Sequence, residues 1–101
     1  MKNGELYALG VAELVRGYAQ GELSPVEVTQ SVLDRVESWE GKLQATWLLR
    51  PDSALEQAQA SEARWRSGAP LGPLDGVPVS IKENIATRGD PLPAGTPPVD
   101  L

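Results

Sequence analysis

Proline divides this chain into two unlike parts. Seven of its nine prolines lie at or after Pro70, and four fall in the last 11 residues. Proline locks φ and has no N–H to donate, so it interrupts helices and is confined to the entries and edges of sheets. The leading part can therefore build helices. The trailing part is restricted to turns, loops and short extended pieces. With 101 residues in all, the chain has enough material for one small domain.

In the leading part, Leu6, Leu9, Leu14, Val15 and Tyr18 recur near helical spacing and predict a helix over 6–20, with Gly21 as its C-terminal stop. A second helix is predicted over 25–40. Ser24 can cap it, Pro25 suits the first helical position, and Glu27 completes a capping box. Leu23 and Val28 are spaced for a hydrophobic staple across that start. Val28, Val32, Val36 and Trp39 share one face, and Gly41 is the expected end. Residues 43–49 are short and hold aromatic and β-branched side chains, which predicts a strand closed by Pro51. Ser53 and Glu56 repeat the capping-box pattern ahead of a third helix over about 54–67, through Leu55, Ala58, Glu62 and Trp65, with Gly68 after it.

In the trailing part, residues 70–76 form a turn-rich loop. Val77, Val79 and Ile81 then alternate with Pro78, Ser80 and Lys82, which predicts a second strand over 77–82, placed at an edge by Pro78. The tail over 88–101 has no periodicity, and no internal repeat is visible.

Composition excludes several functions. The net charge of −5 argues against a nucleic-acid-binding module, whose usual footprint is a basic stripe. The chain has no cysteine and no histidine. It therefore lacks a disulfide framework, a thiol nucleophile, the Ser-His-Asp and Cys-His arrangements, and most zinc sites. No apolar run approaches the ~20 residues of a membrane span, and Met1-Lys2-Asn3-Gly4-Glu5 lacks the apolar core of a signal peptide. The expected address is cytoplasmic. No metal or organic cofactor, nucleic-acid partner or membrane partner is implied.

One residue remains as a candidate for chemistry. Lys82, one of three lysines against six arginines, ends a short apolar β-branched stretch. A lysine there is paired, reaches outward to water, or is chemically employed. On a strand, Ser80 and Lys82 share a face, a placement compatible with Ser-Lys chemistry. To act as a base, a lysine must have its pKa lowered from about 10.4 to roughly 7–8, on the order of 4 kcal/mol. That requires enclosure or neighbouring positive charge. The residues alone favour a solvated strand end, paired on the surface with Glu83 for little energy.

The run Gly72-Pro73-Leu74-Asp75-Gly76-Val77-Pro78-Val79-Ser80-Ile81-Lys82-Glu83-Asn84, continued through Ile85-Ala86-Thr87-Arg88-Gly89 to Ala94-Gly95-Thr96, resembles the amidase signature family. Gly21 to Val28 with Leu33 to Val36 resembles the family's second helix, and Ala45-Thr46-Trp47 its first strand. The alanine-rich helix leading to Gly68-Ala69-Pro70-Leu71 fits the same order. The resemblance runs from about residue 6 to the end and implies an α/β fold, here N-terminal helices plus short strands of an incomplete domain. It implies hydrolysis of small-molecule carboxylic amides by a Ser–cis-Ser–Lys triad, with Lys82 as the catalytic lysine and Ser80 as a structural residue.

Three features depart from the family pattern. Glu83 stands where aspartate is usual. Leu92, Pro93 and Thr96 replace residues common near the substrate cleft. None of the seven serines, at 24, 31, 38, 53, 61, 67 and 80, has the Gly-Ser-Ser-Gly surroundings of the two triad serines. The first expectation is therefore an N-terminal fragment of an amidase, inactive alone. Two others stand beside it: a non-catalytic interaction module derived from the family, and a fragment from the amidase-like component of the family's tRNA-dependent amidotransferase branch. Substrate and oligomeric state are not legible.

Overall fold

The computed structural model describes residues 3–43, 48–81 and 88. A 3-10 helix, Asn3–Ala8, leads into three α-helices: α1, Val11–Gln20; α2, Pro25–Leu43; and α3, Pro51–Arg66. The first predicted helix is thus two pieces, because the chain breaks at Leu9 and Gly10 before α1 begins.

Glycine ends α1 in the way its stop signal implies. Gly21 takes the left-handed conformation at φ 72°, donates its N–H to Tyr18 O at 3.2 Å, and lets Glu22 N–H reach Gly17 O at 2.9 Å. This reciprocal pair satisfies carbonyls that the last turn would otherwise leave open. The same pairing closes α3, through Gly68 N–H to Trp65 O and Ala69 N–H to Arg64 O. Ser24 opens α2 by accepting the Val26 N–H on its Oγ at 3.0 Å.

α3 begins three residues earlier than its capping pattern suggests. Pro51 takes the first helical position, where its missing N–H costs nothing, and Ser53 lies inside the first turn, accepting a bond from Gln57 Nε2.

The core sits where the 3-10 helix, α1 and α2 meet. Leu6, Leu14, Tyr18 and Val28 are buried there, and Leu9, Leu23 and Trp65 pack against them. α3 lies along α2 and also meets α1. Its buried residues are small, Ala58 and Ser61, which lets it approach closely. The predicted α2 face is buried only at its start. Val28 is fully enclosed, Val32 and Val36 are half-buried, and Trp39 is exposed. Near that exposed end the Arg35 guanidinium lies 4.8 Å from the Tyr7 ring and 5.0 Å from the Trp39 ring, a cation–π arrangement worth about 0.5–1 kcal/mol per pair at the surface.

The α/β expectation is corrected: among the described residues the structure is helical and contains no strand. Over 43–49, Leu43 belongs to α2, residues 48–50 make no ladder, and Gln44 to Trp47 lie outside the described residues. Gly41 does not stop α2. One exposed helical glycine costs only about 1 kcal/mol relative to alanine, and the helix formers Glu37, Glu40, Lys42 and Leu43 around it carry the helix through. Residues 77–81 are likewise not a strand. Alternation supplies a face, but a strand exists only through hydrogen bonds to a neighbour, and no described segment pairs with this one.

Candidate functional site

The described loop that precedes the predicted lysine in the sequence spans residues 72–76. Two consecutive turns shape it, with Asp75 N–H on Gly72 O at 3.3 Å and Val77 N–H on Leu74 O at 3.1 Å. The loop is tied to the helices through Asp75. Its Oδ1 accepts Ser61 Oγ at 2.7 Å and Arg64 Nη2 at 2.6 Å, while its Oδ2 accepts Arg64 Nε at 2.7 Å and Leu71 N–H at 2.9 Å. Arg64 thus engages both oxygens with its planar fork, the strongest common geometry for a carboxylate. The Asp75 side chain is 3% exposed.

These bonds hold the Asp75 carboxyl far below the ordinary carboxylate range. The Arg64 bond is the largest cause, burial opposes it, and the Leu71 N–H and Ser61 hydroxyl add to it. The same bond raises the Arg64 guanidinium. A carboxylate has about four lone-pair sites, and four donors occupy them here. Asp75 therefore has no acceptor left for a substrate proton or a metal, and its chemistry is that of an anchor.

The main chain of the loop is held as well. Trp65 Nε1 donates to Asp75 O at 2.9 Å, and Tyr18 Oη donates to Gly76 O at 2.8 Å. The two rings lie 5.9 Å apart at a tilt of 46°. Burial pushes the Tyr18 phenol up to about 12. Ser61, Arg64 and Trp65 are spaced i, i+3 and i+4, so a single face of α3 presents all three to the loop. Gly76 itself, at φ 89°, lies against Pro25 and Ser61. A Cβ there would fall 2.7 Å from Ser61 Oγ and 2.9 Å from Pro25 Cγ. The start of α2, the middle of α3 and the loop converge on this point.

Beyond it the chain emerges. Val77 and Pro78 are half-buried, Ser80 is exposed, and Val79 and Ile81 are 79% and 54% exposed. Lys82, the one residue singled out for catalysis, lies outside the described residues. Two open surface clefts, of about 340 and 640 Å³, are lined by other parts of the molecule, the first between the α1–α2 turn and α3 and the second along α2 and Tyr7. Among the described residues no group of three His, Cys, Asp or Glu side chains is placed to hold a metal, and no helix is long and apolar enough to cross a membrane.

The anchor was not singled out from the sequence. The available signals were the Asp75-Gly76 pair inside a turn-rich loop and the Ser61, Arg64, Trp65 spacing on α3, two patterns with no link between them along the chain.

The sequence between residues 27 and 99, which includes the loop and the segment after it, matches the family model described as Amidase. The chain belongs to the amidase family. This amidase-family chain is 42% identical over 92 residues to the A component of glutamyl-tRNA(Gln) amidotransferase from Salinispora arenicola, covering 91% of the chain and 19% of that relative. It is 45% identical over 92 residues to the protein of the same name from Thermobifida fusca, covering 91% and 18%. With the Moorella thermoacetica protein of that name it shares 40% over 85 residues, covering 84% and 18%. The amidase-family chain therefore spans about a fifth of the length of these curated relatives. No solved structure matches it.

Proposed function

We propose that this chain supplies the N-terminal helical layer and the proton-transfer lysine, Lys82, of an enzyme that cleaves carboxylic amide C–N bonds. The observation that carries this reading is the family match, whose range of residues 27–99 includes Lys82. In the mechanism implied by the family resemblance, the neutral amine of Lys82 takes the proton of an attacking serine through a bridging serine. It then returns that proton to the leaving nitrogen as the C–N bond breaks. Neither serine has a counterpart among the seven in this sequence, and an amine without its nucleophile lacks the unit that performs covalent catalysis. Residues 1–101 by themselves are therefore expected to turn over no amide.

A narrower reading within the family is favoured by the relatives. The proteins that match over 84–91% of the chain are named as the A component of glutamyl-tRNA(Gln) amidotransferase, which makes amide transfer in tRNA-dependent glutamine formation the leading substrate context. The acidic balance of these residues offers no surface for the tRNA phosphates themselves, so contact with tRNA would fall to other protein.

The test is a chimera in which this chain replaces the matching N-terminal segment of the Salinispora arenicola relative, assayed for amide hydrolysis with glutamine. The chimera is expected to be active, and Lys82→Ala within it to lose about 10³-fold or more in kcat, the scale at which catalytic units fail. An active chimera that tolerates Lys82→Ala would overturn the assignment. Glutamine-dependent amidation of Glu-tRNA(Gln) by the same chimera with its partner proteins separates the narrower reading from simple amide hydrolysis.

A further inference from the structure

We propose that residues 69–76 form a latch, a strap that leaves the helices and returns as one unit while the helices stay folded, and that the α3 face it docks on is a receptor for a carboxylate. In the docked state the ligand of that receptor is the chain's own Asp75.

The clamp is chemically one-sided. The side chains the helices bring to it are all donors: Ser61 Oγ, the Arg64 fork and Trp65 Nε1 from α3, and Tyr18 Oη from α1. The groups the loop returns to them are all acceptors, the Asp75 carboxylate and the carbonyls of Asp75 and Gly76. Apolar burial has little part in the attachment. Leu71 and Leu74 are 81% and 63% exposed, and among the described residues none beyond Ser61 is fully buried. The core of Leu6, Leu14, Tyr18 and Val28 belongs to the helices.

This division separates the two stabilities. Water replaces a lost hydrogen bond with one of its own, so such bonds contribute modestly on balance. It offers no replacement for buried apolar area. Segments with few buried apolar contacts open before the core does. Ser61, Arg64 and Trp65 are carried by α3, whose backbone bonds are made within the helix, so the donors stay grouped when the loop departs. The exit from α3 is also unobstructed. Gly68 stands at φ 75° with nothing within 4 Å of a Cβ position, between exposed Ser67 and Ala69.

Native-state hydrogen exchange of the 101-residue chain tests the latch without any substitution. Trp65 Nε1–H and Leu71 N–H, bonded to Asp75 O and Oδ2, are expected to report one common opening equilibrium, agreeing within about threefold. That opening should be at least about tenfold more populated than the one read at the amides of residues 29–33 inside α2. Trp65 and Leu71 protons that exchange only as often as those of α2 would overturn the latch.

The receptor is tested with Asp75→Ala, which empties the carboxylate position, and formate as the probe. Roughly 0.3 M formate is expected to slow exchange at Trp65 Nε1–H by at least about threefold relative to equal chloride, through binding to the docked state. Adding Arg64→Ala should abolish that difference, and the parent, whose position is filled, should show none. Equal effects of formate and chloride in Asp75→Ala overturn the receptor. Loss of the helical circular dichroism in Asp75→Ala overturns the independence of latch and helices. Neither readout involves turnover, so failure here is distinct from failure of the amidase chimera.

Discussion

Arg64 holds Asp75 by both oxygens, Nε at 2.7 Å from Oδ2 and Nη2 at 2.6 Å from Oδ1, linking a helix to a loop eleven positions further along the chain. A helix alone has no need of this pair, and a loop alone has no means to form it. It is the joint that fastens the loop to α3. Asp75→Asn removes the charge and points an amide NH2 at groups that are themselves donors. The expected loss is about 3 kcal/mol, since a buried charged partner is withdrawn from several bonds at once. Urea titration followed by circular dichroism measures it, and a loss below about 0.5 kcal/mol would contradict the clamp.

Acid should expose the same joint. The Asp75 carboxyl is lowered in the folded state, so its contribution is fully present above the unfolded aspartate value of about 3.9 and is lost as pH falls from there toward the folded value. Arg64 stays charged throughout. The stability of the parent is therefore expected to fall steeply below about pH 4, and the Asp75→Asn variant to show a shallower fall. Parallel acid profiles for the two proteins would refute the assignment.

Base should act through Tyr18. Its phenol is raised to about 12 by burial, so the neutral form is favoured by folding. This contribution is intact below the unfolded value near 10 and disappears as pH rises toward 12. Absorbance at the phenolate band should show Tyr18 ionising near pH 12, together with loss of helix signal. Tyr18→Phe gives up the bond to Gly76 O and is expected to cost about 1 kcal/mol at neutral pH. A Tyr18 that ionises near pH 10 with the helices intact would show that the ring is not enclosed.

Gly76→Ala combines two penalties. The backbone sits at φ 89°, and the new methyl would meet Ser61 Oγ and Pro25 Cγ at 2.7 and 2.9 Å. Strain of this kind costs roughly 1–3 kcal/mol before any clash is counted. Thermal unfolding should register the loss. Loss of protection from hydrogen exchange at the Trp65 indole N–H would place it in the loop.

The start of α2 and the ends of α1 and α3 were legible because they rest on neighbours in sequence. Ser24 next to Pro25 opens α2, and Gly21 and Gly68 close α1 and α3 by bonds reaching no further than six residues. Ser24→Ala is accordingly expected to cost about 1 kcal/mol in urea titration, and no measurable loss would deny the cap its role. Gly41 carried a similar signal and failed, since a glycine stops a helix only when it adopts the left-handed turn, and the residues around Gly41 favour continuing. Alternation at Val77, Val79 and Ile81 suggested a strand for a related reason. It marks two faces, whereas pairing depends on a partner that sequence pattern does not locate.

The sequence by itself determined three helices' worth of apolar periodicity, the position of the loop between Pro70 and Gly76, and, through its motif, membership of the amidase family. Only the tertiary structure decided what the loop is fastened to. Tyr18 and Gly76 are 58 positions apart, and Ser61 and Asp75 are 14 apart. Bonds over such separations form only after α1, α2 and α3 have packed around Leu14, Tyr18 and Val28. Local pattern reports the neighbours that fix a dihedral, while a buried carboxylate is given its partners by whichever helices the core brings to it.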